Sequence, residues 1–547
     1  MAQLGFLEKW TLRFAVVGLL FLALSGLEGV LMRIDLVNEE ALLGLQGALN
    51  VIRPLGQGAS PAEYFYATLT AHPIVGIYGF AYMAIMGAFY FLVPFLLKKE
   101  IRFKKLVPVN FFLQIAGVLI CWAAGFFLLF NGLYTLYWPL PVSFDRVPVA
   151  GTAMFGFGLL LIEINILIFV FNLFATVLRR SNPSPGYSLR RYLMEAFGLS
   201  RLVRFLLRKE KSEDDLRYEE MPVFIVAVGR GSIDTVINAF VLLTAGALLV
   251  IYAVPALAAG LYLNPQAIDP LIYKNWFWWG LDMVADGNVL MYTAGTWYLL
   301  VPLLVGRKLY GESVVRTVIL ADLLISLGVW SHHLLADQPQ PAFLRLLSGQ
   351  FITWGEFLTM GLTIFAVMMT IWLARPVKFT PPLKFIMGSI FSFAVGGVAG
   401  VFQANYGLNV VAHNTQLIVG PHAHTMLLGG LAMLIFAVIY ALIPMLTKIE
   451  IPNSRWVDVH LWGWLLGAFG MTSAMGWAGN LGMLRRTLYP DGAYQPEMVV
   501  ALISSLLMAI AFASFLINII RSLGWRNVLS LFIPQGRQVS PSPPSVT

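Results

Sequence analysis

Val419-Gly420-Pro421-His422-Ala423-His424-Thr425-Met426 opens an apolar run that continues without an acidic or basic residue to Leu446. A helix crossing a bilayer needs about 20 mostly apolar residues, so the run predicts a span over 416–446. Its opening is unusual, because an ionisable side chain inside lipid is costly and marks a functional position. Residues two apart on a helix project about 200° apart. His422 and His424 therefore address two different partners on opposite sides of one helix.

The rest of the chain belongs in the same solvent. Of 547 residues, 59% are hydrophobic and 12% charged, and the mean hydropathy is +0.77, which lies outside the range of soluble domains. Spanning segments are expected at 14–32, 66–97, 107–134, 149–177, 232–260, 276–305, 314–334, 345–374, 385–402, 416–446, 458–482 and 498–521. The fold class is thus an all-α, polytopic membrane protein with about 12 transmembrane helices. A transmembrane catalytic domain covers 1–533, and the Pro- and Ser-rich tail 534–547 is expected to be disordered. The first span is too long for a signal-peptide core and lacks a small-residue cleavage site, so it is expected to remain in the mature protein.

The formal charge of +8 is no sign of nucleic-acid binding, because the basic residues fall in loops between spans, where the positive-inside rule accounts for them. Lys98, Lys99, Arg102, Lys104 and Lys105 follow the second span. The 178–221 loop carries Arg179, Arg180, Arg190, Arg191, Arg201, Arg204 and Arg208. Arg307 with Lys308, Arg375 with Lys378, Lys448 with Arg455, and Arg521 with Arg526 fall on the same side. That side is expected to be cytoplasmic, with both termini on it, in a prokaryotic inner membrane. Arg485 and Arg486 break the rule by following the eleventh span on the outer side. A solvated loop pair is the plain explanation; an anionic ligand at that surface is the functional one. The single cysteine, Cys121, excludes internal disulfides, a cysteine-pair copper centre and covalent haem attachment. Electrons for any redox chemistry must then come from a partner.

There are seven histidines: His72, His332, His333, His413, His422, His424 and His460. Taken singly, each reads first as a hydrogen-bonded core residue. Together, the topology brings His72, His332, His333, His422 and His424 to one depth near the outer surface. Neutral imidazole is the commonest protein ligand for iron and copper, and facing helices of a bundle can supply such ligands.

Gly420-Pro421-His422-Ala423-His424, Trp330-Ser331-His332-His333 and His72 in the second span resemble the haem and metal ligands of the catalytic subunit I of the haem-copper oxidase superfamily. Tyr406 to Thr415, with Val410-Val411-Ala412-His413-Asn414-Thr415, and His332 to Asp337 resemble its B-type branch, which includes the ba3 oxidases. The resemblance covers nearly the whole chain, in helix count as well as motifs. It implies two haems and one non-haem metal. His72 and His424 would ligate a low-spin haem and His422 a high-spin haem, while His332 and His333 would hold the metal, iron or copper. Arg485 and Arg486 would meet propionates, with His413 nearby. Where the family often has a carboxylate four residues before that histidine, this chain has Asn409.

The sixth span departs from the oxygen reductases of that branch. It reads Trp278-Trp279-Gly280-Leu281-Asp282-Met283-Val284-Ala285-Asp286-Gly287-Asn288, with Asp282 where a third histidine ligand stands in the family and Asp286 where a tyrosine stands. A spacing of four places the two carboxylates on one helix face; solvated acids near a span end are the plain alternative. An oxygen-donor ligand suits a harder metal such as iron, and the nitric oxide reductases of the superfamily likewise carry an acid in place of the tyrosine. The expected activity is therefore a membrane-bound nitric oxide reductase catalytic subunit, converting two NO to N2O and water. Asp282 would ligate the metal beside His332 and His333, and Asp286 would tune it and pass protons. The alternative is a ba3-like terminal oxygen reductase with an unusual metal site.

A secondary transporter would also have about twelve spans and buried acids, but it has no use for the histidine set, and no inverted repeat is visible. Glu163, Asp322 and Glu356 are proton-path candidates, or else structural acids. Because Thr293, Thr296 and Trp297 occupy the stretch where the family has a polar ladder, little proton pumping is expected. The implied partner is a second subunit carrying cytochrome c or a copper centre, with a small gaseous substrate.

Overall fold

The computed structural model describes residues 4–52, 59–133, 136, 144, 147–179, 194, 199–210, 221–264, 268–329, 332–335 and 341–533. Arg180, Arg190, Arg191, Trp330, Ser331, Asp337 and the tail 534–547 lie outside the described residues, as do the side chains of Arg201 and Asp286.

Twelve long helices make up the described chain. They are α1 (Phe6–Val37), α2 (Pro61–Leu96), α3 (Leu106–Leu128), α4 (Val149–Val177), α5 (Val223–Ala259), α6 (Pro270–Val305), α7 (Glu312–Ser326), α8 (Ala342–Leu373), α9 (Pro381–Ala404), α10 (Gln416–Thr447), α11 (Arg455–Asn480) and α12 (Gln495–Leu523). All except α7 and α11 are long and apolar enough to cross a membrane. Each of the twelve overlaps one span expected from the sequence. Among the described residues there is no strand, only an isolated antiparallel bridge between Thr415 and Leu484.

From α1 to α6 each helix packs on the next; α7 lies against α5 and α8; the order then continues to α12, which touches α1 and closes the ring. Three helices form the centre. The apolar windows of α2, α6 and α10 are 78%, 78% and 72% buried, against 33–56% for the other candidate spans. These three carry His72, Asp282, His422 and His424. Small residues permit close approach where lipid offers no hydrophobic drive between helices: a Cβ at Gly156 on α4 would stand 3.0 Å from Gly246 O on α5.

Local chemistry fixes several boundaries. Ser60 and Glu63 form a capping box at the start of α2, with Pro61 at its first position. The expected span 232–260 begins earlier, at Val223, because Arg230, which looks like a loop residue to hydropathy, is neutralised inside the bundle by Asp234 and Asp322. The expected span 314–334 stops as a helix at Ser326. Gly328 turns the chain, its carbonyl accepting from Ser348 Oγ at 2.6 Å, and His332 and His333 sit in a separate short 3-10 turn.

A further departure concerns hydrogen bonding. α2, α6, α8 and α10 each switch from α to π-type bonding, over Ile74–Tyr82, Val284–Tyr292, Arg345–Ile352 and Val419–Ala432. Such wide turns concentrate at functional sites. The switch at Val284 lies between Asp282 and Asp286 and alters the α-helical register assumed for that pair.

Candidate functional site

Each histidine expected to hold a haem has its Nδ1 set against a main-chain carbonyl. His422 Nδ1 lies 2.8 Å from Gly396 O on α9, and His424 Nδ1 lies 2.8 Å from Val419 O within α10. His72 Nδ1 lies 3.0 Å from Ser25 O and 3.2 Å from Ser25 Oγ on α1. A carbonyl only accepts, so Nδ1 carries the proton in all three and Nε2 keeps its lone pair, the state a ligating imidazole needs.

All three rings line one cavity of about 1010 Å³. That volume stands at the upper end of the roughly 300–1,000 Å³ of ordinary ligand pockets, and the cavity runs between the central helices past all three rings. α9 yields room for one ring: a Cβ at Gly400 would stand 2.8 Å from His422 Cε1. Arg33 of α1 is within electrostatic reach of both His72 and His424, and His422 is within reach of His332 and Asp282. His424 thus stands with His72 and Arg33, and His422 with the acid and histidine cluster.

That cluster consists of Asp282, His332 and His333, whose donor atoms all lie within 4.8 Å of one another. His333 Nε2 is 2.9 Å from Asp282 Oδ1, and His332 Nε2 is 3.2 Å from Asp282 Oδ2. Trp278 stacks on His333 with ring centroids 4.8 Å apart. Behind His332, Nδ1 lies 3.3 Å from Thr353 Oγ1 and 3.9 Å from Glu356 Oε2 on α8. Two imidazoles and a carboxylate, oriented from behind by α8, make a donor set for a transition metal. The Asp286 side chain lies outside the described residues, so its expected role rests on the sequence alone.

The loop after α11 is stapled over the same end of the bundle. Gln416 N donates to Met483 O at 2.9 Å, and Arg485 binds Asn414 through its main chain and its Nη2, each at 2.9 Å. Arg485 and Arg486 thereby line the cavity. Arg486 has φ +59°, a left-handed conformation that costs a non-glycine residue on the order of 1 kcal/mol. His413 is buried with its ring 6.1 Å from that of His333. Burial, and then the charge of Arg485, hold its imidazole far below the ordinary histidine range and therefore neutral.

Sequence reading missed Arg33. It is buried, lines the cavity, and donates to Met475 Sδ at 3.0 Å. Its signal was present: an arginine at the outer end of the first span contradicts the positive-inside pattern just as Arg485 and Arg486 do. Ser25, Gly396 and Gly400, which orient or admit the rings, carry no comparable sequence signal. His460 stands apart from the site, packed among Phe385, Phe436 and Phe515.

A closed helix ring enclosing a cavity with paired imidazoles and an acid and histidine cluster defines a membrane-embedded, cofactor-binding redox subunit. The family model "Cytochrome C and Quinol oxidase polypeptide I" matches residues 9–516, and the chain belongs to this haem-copper oxidase subunit I family. Its members are membrane oxidoreductases of electron transport that bind haems and a metal centre. The chain is 24% identical over 528 residues to a cytochrome c oxidase polypeptide 1 of Halobacterium salinarum, covering 94% of this chain and 77% of that one. It is 22% identical over 494 residues to a ubiquinol oxidase subunit 1 of Acetobacter aceti, covering 89% and 67%. A solved heme-copper terminal oxidase dimer shares the fold with a TM-score of 0.68 at 20% identity, covering 98% of this chain and 86% of that one.

Proposed function

We propose that this chain is the catalytic subunit of a respiratory reductase of a small gaseous oxidant. Its relatives' names favour a terminal oxygen reductase, and its own ligand set favours nitric oxide as a second reading. His72 and His424 would hold a low-spin haem, His422 a high-spin haem, and Asp282, His332 and His333 a metal, iron or copper; together these groups would supply the electron-transfer chemistry at the site. The donor is a second subunit carrying cytochrome c or a copper centre, and the basic loops face the cytoplasm together with both termini.

The named relatives are oxidases, so oxygen reduction is the reading that the comparisons support better. The observation that carries the nitric oxide reading is the Asp282 carboxylate against both cluster histidines. It puts an oxygen donor in the ligand set, and among the described residues no tyrosine lines the cavity. Reducing dioxygen to water takes four electrons and four protons; coupling two NO to N2O and water takes two of each.

When bound, the haem iron and the metal supply electrons and Lewis acidity. The chain's own residues do the rest. Gly396, Val419 and Ser25 fix the imidazole tautomers, Trp278 holds the plane of His333, and α8 orients His332. Arg33, Arg485 and Arg486 offer positive charge to anionic groups at the cavity's outer wall.

The test is turnover of the purified, reduced complex, anaerobically with NO and aerobically with oxygen, with metal analysis of the same sample. Fast oxygen uptake with negligible N2O establishes the oxidase and removes the NO reading. Rapid N2O formation with little oxygen uptake does the reverse.

A further inference from the structure

The loop between α4 and α5 carries one short helix, Leu199–Leu206, that the cavity does not use. Its apolar positions Leu199, Leu202, Val203 and Leu206 recur at spacings of three and four, and so do its basic positions Arg201, Arg204 and Arg208. At 100° per residue the basic positions share an arc of about 60°, and Phe205 and Leu207 widen the apolar face on either side of the others. The helix is thus divided along its length into a narrow basic stripe and a broad apolar face.

Its end is built, not frayed. Arg208 adopts a left-handed φ of +49°, Arg208 N donates to Phe205 O at 3.2 Å, and Lys209 N donates to Arg204 O at 2.9 Å. This is the Schellman pattern of helix termination, and cations at a helix C-terminus are favoured by its dipole. Leu199 packs against the bundle core, which holds the start of the helix at the basic end of the molecule.

The apolar face turns away from the bundle. Phe205 is 80% exposed, Leu206 67% and Leu207 58%. An isolated helix shorter than about 12–15 residues is marginal in water, so an eight-residue helix with its apolar face outward needs a surface to lie on. Exposed apolar residues on the spans are covered by acyl chains; here the covering surface lies beside the span ends, where α4 stops at Val177 and α5 starts at Val223. The headgroup layer at that level is apolar on its inner side and, where its lipids are anionic, negative on its outer side. The helix presents the same two chemistries back to back.

We infer that Leu199–Leu206 is an interfacial anchor that recognises anionic phospholipid. Phe205, Leu206 and Leu207 enter the acyl boundary, while Arg204, Arg208 and Lys209 meet lipid phosphates. The inference needs only that the chain spans a bilayer and stands whichever gas the complex consumes.

The experiment places a nitroxide label on Phe205→Cys or Arg208→Cys of the intact complex, in vesicles of phosphatidylcholine alone or with phosphatidylglycerol added. Cys121 is buried, and the parent treated alike is the blank. In the anionic vesicles the label on Phe205→Cys is expected to collide with oxygen more than with a water-soluble nickel chelate, and the label on Arg208→Cys to do the reverse. Adding Arg204→Gln and then Lys209→Gln to Phe205→Cys is expected to lower the ratio of inserted to free label about fivefold for each charge removed. Phosphatidylcholine alone is expected to lower that ratio likewise. Leu206→Cys repeats the reading with the Phe205 ring in place, so that loss of the ring cannot by itself decide the result. Labels at both apolar positions that stay open to the chelate in both vesicles overturn the anchor. Equal insertion in both vesicles shows apolar partitioning without headgroup recognition and overturns the anionic lipid as its partner. Labels shielded from both reagents show that a protein covers the face, and overturn it as well.

Discussion

His333 Nε2 and Asp282 Oδ1 stand 2.9 Å apart, joining the short turn after α7 to the middle of α6. Ligands at about 2.0–2.2 Å from one tetrahedral ion are separated from each other by roughly 3.3 Å. The spacing of this pair, and the 3.2 Å between His332 Nε2 and Asp282 Oδ2, therefore need little adjustment to admit a cation. Without one, Asp282 Oδ1 hydrogen-bonds His333 Nε2 while Oδ2 faces His332 Nε2, so the carboxylate holds both rings near it in either state.

Removing that carboxylate should separate metal binding from haem binding. Asp282→Ala is expected to lower non-haem metal content and to reduce turnover by at least about a hundredfold, beyond the 10- to 100-fold typical of losing an outer-shell partner. Haem content should stay at the parental level, because His72, His422 and His424 are oriented by carbonyls that do not involve Asp282. Metal analysis beside a reduced-minus-oxidised spectrum reads both. Parental metal content in the variant would remove Asp282 from the ligand set.

Crowding His422 should act on the opposite half of the site. A Cβ at Gly400 would stand 2.8 Å from His422 Cε1 and 2.9 Å from Nδ1, and overpacking of that kind costs about 1–3 kcal/mol. Gly400→Ala is therefore expected to displace the ring and weaken carbon monoxide binding to the reduced high-spin haem by about tenfold or more, an energy of about 1.4 kcal/mol. The low-spin spectrum should change little. An unchanged carbon monoxide difference spectrum would show that His422 does not govern that haem.

Arg33 supplies a charge instead of a ligand. A cation near a haem favours the reduced form, which carries one more electron, so removing it should lower the midpoint potential of the haem on His72 and His424. The shift is expected to lie below about 4 kcal/mol, the interaction of two unit charges about 4 Å apart at an effective dielectric constant near 20. Potentiometric titration of Arg33→Met checks the sign, and a rise would place the guanidinium away from that haem.

The legible and the hidden parts of the site divide along a physical line. The twelve helices and the histidine set were visible because hydropathy is a property of a window and an imidazole in lipid stands out against it. Arg230 and the true start of α5 were hidden because hydropathy prices a charge without its partners, and Asp322 is 92 residues away. The end of α7 at Ser326 was hidden for a related reason: the residues up to Leu335 are apolar enough to extend a span, and only the turn at Gly328, held by Ser348 of α8, breaks it. The π-type segments leave no mark in composition at all. Asp282 was found because its neighbours in sequence align it with a ligand position, and the structure places it against both histidines.

His413 offers a prediction in pH. Burial and the Arg485 charge hold its imidazole far below the usual range in the folded protein, whereas an unfolded histidine titrates near about 6.5. Below that pH the unfolded chain takes up a proton that the folded chain refuses, so this residue's contribution to stability is fully present above about 6.5 and is lost as the pH falls. The loss approaches about 1.4 kcal/mol for each further pH unit, until another group dominates. Thermal inactivation of the detergent-solubilised complex, followed by haem release between pH 7.5 and 5, should therefore steepen on the acid side, and His413→Gln should flatten that limb. The neutral limb should be little changed, since glutamine keeps a polar group among the same neighbours. Equal acid sensitivity in parent and variant would mean that His413 is protonated in the folded state, contrary to its burial beside Arg485.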